Sequence, residues 1–254
     1  ALLGLVGCNN SGDELLADSD FDGLRNEIDP DKDNNEYFFH VEDKENKRLT
    51  IQDSFEMDYR EFLRDDLITN YNPKLGKLAS LILNESYEAN IVIENNVYVS
   101  DSTSKSKLLT QIGCEDIEVK DFRSMGYSQD KNDIVNMKLG HHVVTNKTDR
   151  LNVVFVEIIG YPTDAGWASN FDVGADGQDY IDTTGEHDDW LDKKDHKGFD
   201  ISAKRAFDYI KTYTEAHKVV DTNDLIFVIG QSRGGATSSL IGKKLKDNNF
   251  NSLV

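Results

Sequence analysis

Asp224-Leu225-Ile226-Phe227-Val228-Ile229-Gly230-Gln231-Ser232-Arg233-Gly234-Gly235-Ala236 is the stretch that decides how this chain folds. Five apolar, mostly β-branched residues from Leu225 to Ile229 predict a buried strand, and apolar residues at helical spacing from Ala236 to Leu245 predict a helix. Gly-x-Ser-x-Gly lies between the two. A strand that reverses through a glycine-bounded turn into a helix belongs to an α/β layer architecture.

The residue types in that turn carry a chemical implication. Gly230 and Gly234 remove side chains that would collide where the strand meets the helix, and Ser232 is left on a sharp, strained turn with its hydroxyl exposed. This is the context of a nucleophile elbow. The backbone N–H of Arg233 falls at the helix N-terminus, where orphan donors and the helix dipole favour a developing oxyanion. A glycine-rich turn with an incidental serine is the plainer alternative.

Working outward, the 254 residues and 38% hydrophobic content suffice for one good core with a small appendage. A net charge of -19 repels phosphate backbones and excludes nucleic acid as an expected partner. Much of the acid lies between Asp13 and Asp66. The two cysteines, Cys8 and Cys114, do not make a disulfide framework. Cys114 is expected to be a buried small hydrophobe.

The helical patterns fall near Phe55 to Asn70, Leu75 to Ala89, Lys105 to Ile112 and Asp200 to His217. Strand patterns fall near Asp133 to Lys138, His141 to Val144, Val153 to Ile159 and Leu225 to Ile229. His141 and His142 are expected on a hairpin. A long helix between the last two strands predicts a βαβ crossover and a largely parallel sheet. Three segments follow: residues 1–8, an acidic tether over residues 9–53, and an α/β domain over residues 54–254.

The N-terminal run Leu5-Val6-Gly7-Cys8 resembles the lipobox of a bacterial lipoprotein signal peptide. The run before it is too short to span a bilayer. The resemblance implies cleavage before Cys8, acylation of its sulfur and a lipid anchor on the cell surface or the periplasmic side of a membrane. Within the tether, Asp18-Ser19-Asp20-Phe21-Asp22-Gly23-Leu24-Arg25-Asn26-Glu27-Ile28-Asp29 has oxygens at positions one, three, five and twelve and glycine at six. It is similar to the calcium loops of thrombospondin type 3 and dockerin modules. A structural Ca²⁺ would take Asp18, Asp20, Asp22, the Leu24 carbonyl and Asp29; a solvated acidic linker is the alternative.

Four segments together carry a second resemblance. Asn152-Val153-Val154-Phe155-Val156-Glu157-Ile158-Ile159-Gly160, Trp167-Ala168-Ser169-Asn170-Phe171, His196-Lys197-Gly198-Phe199 and Gly230 to Ala236 resemble the class 3 lipase family, α/β-hydrolases that cleave carboxylic esters and triacylglycerols. The family implies an acyl-enzyme at Ser232, oxyanion donors on the backbones of Arg233 and Tyr161, elbow glycines at Gly230 and Gly234, and no catalytic cofactor. The ester or lipid substrate and a membrane surface are the implied partners.

Two departures stand out. Where the family carries Arg-Gly-Thr or Arg-Gly-Ser, this chain has Ile159-Gly160-Tyr161, so a helpful hydroxyl is lost. The family order is Ser, Asp, His, and no histidine follows Ser232: His40, His141, His142, His187, His196 and His217 all precede it. His196 matches a structural position of the family. The expectation is a hydrolase domain incomplete at its C-terminus, with the chain also lacking an initiating Met, and weak or absent activity in this polypeptide. A non-catalytic surface binding or adhesion module on a hydrolase fold is the alternative.

Overall fold

Two adjacent strands that are apolar on both faces require cover on both sides, and they fix the layers of this molecule. A computed structural model of the chain describes residues 19–21, 24, 33–43, 48–63, 70–89, 91–94, 97–100, 107–121, 135–145, 150–160, 170, 196–217 and 224–254. Its strands are β1 (Glu36–Asp43), β2 (Arg48–Glu56), β3 (Ile91–Glu94), β4 (Val97–Ser100), β5 (Glu115–Asp121), β6 (Val135–Thr145), β7 (Arg150–Gly160), β8 (Leu225–Gly230) and β9 (Ser252–Leu253). Its helices are α1 (Pro73–Ala89), α2 (Lys107–Gln111), α3 (Lys197–Ala216) and α4 (Arg233–Asp247).

The central sheet has the order β5-β6-β7-β8-β9. It is mixed: β7, β8 and β9 run parallel, as the crossover pattern predicts, while β5, β6 and β7 form an antiparallel meander. The period of two sorts its side chains cleanly. Val153, Phe155, Leu225, Phe227 and Ile229 face a core with Tyr59, Phe62, Leu78, Ile82 and Leu109. Val154, Val156, Ile158, Ile226 and Val228 face the opposite core, closed by Ala203, Ala206, Ile210, Ile241 and Leu245. The result is an α/β layered body. Among the described residues no helix is long and apolar enough to cross a membrane.

Local chemistry sets the element ends. Asn72 Oδ1 accepts from the N–H groups of Lys74 and Leu75, with Pro73 at the first helical position, so α1 starts with both a cap and a fixed φ. The α3 pattern matches expectation closely, from Lys197 to Ala216. Lys244 near the end of α4 reaches the fully buried Asp200 in the first turn of α3, with Nζ and Oδ1 2.6 Å apart.

Two expectations are corrected here. The helix expected from Phe55 is instead the end of β2 followed by a 3-10 turn at Tyr59–Leu63. Asp58 accepts from the Arg60 N–H through Oδ1 and from the Glu61 N–H through its carbonyl, a local turn that competes with an α-helix. The two strands expected over Asp133 to Lys138 and His141 to Val144 are one continuous strand through Gly140, so His141 and His142 lie inside β6, one arm of the antiparallel β6–β7 pair, with no break before them. A Cβ at Gly140 would stand 3.1 Å from Cβ of Cys114, so this glycine marks close packing rather than a turn.

Residues assigned by sequence to the tether also contain structure. β1 and β2 pair as an antiparallel hairpin that spans position 54. Phe21 packs on the core, receives the Tyr59 N–H on its carbonyl at 2.9 Å and lies 4.7 Å under the Arg60 guanidinium.

Candidate active site

Ser232 occupies the junction between β8 and α4 with φ 56° and ψ -124°. A positive φ is uncommon for a residue with a Cβ, and this ψ lies far from the small left-handed well, so the backbone here is strained. Serine at a helix N-cap ordinarily bonds to the first turn. Ser232 does not: its side chain makes no cap hydrogen bond and the residue is exposed. The hydroxyl is therefore presented outward instead of being consumed by the helix.

The flanking glycines have separate jobs. A Cβ on Gly230 would stand 2.3 Å from both the Gly234 carbonyl oxygen and Oγ of Ser238, which locks strand against helix. A Cβ on Gly234 would stand 2.2 Å from the carbonyl oxygen of Ile158, the residue of β7 paired with Gly230. The first turn of α4 is thus pressed directly on the end of β7. At Gly160 the same closeness recurs, with a would-be Cβ 2.9 Å from Cβ of Arg233.

Arg233 is the first residue of α4, a position whose N–H the helix itself does not use. Its side chain is buried and turned away from the serine. The guanidinium donates to Oγ of Ser202 at 3.0 Å and stands 5.9 Å over the Phe199 ring. His196 stacks on that same ring at 4.1 Å. The elbow is consequently anchored to the start of α3 through one chain of contacts.

Both nitrogens of His196 are engaged. Nδ1 accepts the Phe199 N–H as the N-cap of α3, which leaves the proton on Nε2, and that nitrogen donates to the Asn170 carbonyl at 3.0 Å. Both ring nitrogens are thus spent on holding the start of α3. His141 and His142 pair with Val154 and Val153, whereas Gly230 is level with Ile158. Four strand residues separate the level of His141 from that of Gly230 and five separate that of His142, or about 13 and 17 Å. His142 is spent at that far end, stacked on Tyr59 with Nδ1 2.9 Å from the Gly113 carbonyl. Burial, then the neighbouring His217, push the His141 imidazole below its usual value, against the opposing pull of Asp116 and Glu115. Among the described side chains, no histidine is placed to serve Ser232 as a base.

Of the remaining candidates, Tyr161, Cys8, Asp18, Asp22 and Asp29 lie outside the described residues, as do Trp167, Phe171 and His187. Asp20 and Leu24 are described, but two positions do not define a calcium loop. Cys114 is buried with a free thiol that burial pushes well above the ordinary range, so it is inert. A cleft of about 430 Å³ opens beside Gly230, lined by Leu75, Ala79, Leu83, Phe227 and Leu253 among others. Ser232 does not line it. No family model, curated protein or solved structure matches the chain.

Proposed function

We propose that this chain carries the nucleophile of a serine carboxylic ester hydrolase of the class 3 lipase type. One observation supports it above the others: a non-glycine residue held at φ 56° and ψ -124° between strand and helix, whose hydroxyl is exposed and takes no part in capping. Strain of this kind costs about 1–3 kcal/mol and persists where the surroundings over-determine it. Here Gly230 and Gly234 supply that determination.

In this reading Ser232 Oγ attacks the ester carbonyl and gives its proton to a base. The oxyanion rests on the N–H groups of Arg233 and Tyr161, the alcohol leaves with a proton, and water then releases the acid from the acyl-enzyme. The aspartate and histidine of the triad come from outside the described residues. The lipid anchor at Cys8, with its cell-surface or periplasmic-side location, and the calcium loop over Asp18, Asp20, Asp22, Leu24 and Asp29 belong to the same proposal. The ester is expected to be presented at a membrane surface.

A second reading, a binding or adhesion module on a hydrolase fold, is favoured by the engagement of His196 and the distance of His141 and His142. Exogenous imidazole separates the two. Hydrolysis of a short p-nitrophenyl ester by the folded chain should rise with imidazole well above the rise seen for Ser232→Ala. Equal rates for the two proteins at every imidazole concentration would favour the binding module.

A further inference from the structure

At the end of the sheet opposite the elbow, three ligand-type side chains from three elements converge. Asp116 on β5, His141 on β6 and His217 at the C-cap of α3 offer a carboxylate oxygen and two imidazole nitrogens, all within 4.8 Å of one another. His217 Nδ1 stands 3.4 Å from Asp116 Oδ2, and the two imidazole centroids are 4.7 Å apart.

The backbone is bent to bring them together. The β5–β6 register slips between Glu115 and Glu118, and within that irregularity Asp116 takes φ 49°. A bulge of this kind re-aims a side chain. Here it sends the Asp116 carbonyl to the Tyr213 hydroxyl at 3.0 Å while the carboxylate meets His217.

Tyr213 also sets the tautomer of His141. Its single hydroxyl proton goes to the Asp116 carbonyl, so its oxygen accepts from His141 Nδ1, 3.3 Å away. His141 Nε2 therefore keeps its lone pair. An outer-shell partner that holds one ring N–H and frees the other nitrogen is the usual support of a metal-bound histidine.

We propose that Asp116, His141 and His217 bind a divalent first-row transition ion, of which zinc is the representative, clasping the end of α3 to the β5–β6 edge. Two imidazoles and one carboxylate suit such an ion and not calcium, which takes oxygen ligands. Ligand atoms bonded at about 2.0–2.1 Å around a tetrahedral ion lie about 3.3 Å apart. The His217–Asp116 pair already has nearly that spacing, and the exposed Asp116 side chain has room to rotate and close the rest. Glu115, paired across the strands with His141, or a water completes the four ligands.

The test is calorimetric titration of the whole chelator-treated chain with zinc, with cobalt(II) absorption reporting tetrahedral geometry. The expected result is one equivalent taken up with excess calcium present, a tetrahedral cobalt band, and loss of both in His217→Ala and Asp116→Asn. Tyr213→Phe should weaken uptake about 10- to 100-fold. No zinc uptake by the wild-type chain, or unchanged uptake in both His217→Ala and Asp116→Asn, would overturn the proposal. So would uptake that is lost in Asp20→Ala yet kept in His217→Ala.

Discussion

Ser232 is a residue whose local conformation opposes its own chemistry. A Cβ is disfavoured at φ 56°, and the serine hydroxyl forgoes the cap that its position offers. Replacement by glycine removes the steric strain, about 1–3 kcal/mol, and gives back about 0.5–1 kcal/mol through the freer unfolded chain. Ser232→Gly should therefore be more stable than Ser232→Ala by about 0.5–2 kcal/mol in urea unfolding. Equal midpoints would mean that the turn holds no strain. The same scale explains what the motif did and did not disclose. Gly-x-Ser-x-Gly pointed to the elbow because each glycine answers to one backbone collision, with the Gly234 carbonyl and with the Ile158 carbonyl. Nothing in the sequence placed the Arg233 guanidinium on Ser202, because that contact joins residues 31 apart.

At the scale of elements, α3 is held by charges and hydroxyls at both ends. Asp200 is fully buried in its first turn and paired with Lys244 of α4. Lys244→Met leaves that carboxylate without its ammonium and should cost about 3 kcal/mol, whereas the double variant Asp200→Asn/Lys244→Met should recover most of it. Thermal or urea unfolding decides this; a neutral single variant would show that Asp200 does not depend on Lys244. Further along, Tyr209 donates to a Glu118 carboxylate oxygen on β5. Burial, then the hydrogen bond and charge of Glu118, push its phenol up to about 12. A raised phenol stabilises the fold fully below its unfolded value near pH 10 and loses that contribution as pH climbs through about 12. Between pH 10 and 12 the wild type should lose stability faster than Tyr209→Phe. Parallel curves would dismiss the Tyr209–Glu118 link.

Over the whole molecule, legibility followed the strength of the periodic signal. Strand β8, strand β7 and helices α1 and α3 were readable because both faces of the strands are apolar and the helical stripes are long. The hairpin β1–β2 was not, since its acidic composition imitates a solvated tether. Strand β6 was split at Gly140, whose real reason is the approach of Cys114 from β5's leading edge. The Asp116–His141–His217 cluster was beyond reach, as it depends on a strand irregularity and a helix end far apart in sequence.

The central claim is that the elbow delivers a reactive serine. Its most direct measurement is mass-spectrometric mapping of the adduct formed by a fluorophosphonate on the folded chain. The adduct should sit on Ser232, form faster with added imidazole and vanish in Ser232→Ala. Labelling that spares Ser232, or that reaches the exposed Ser239 at the same rate, would contradict it.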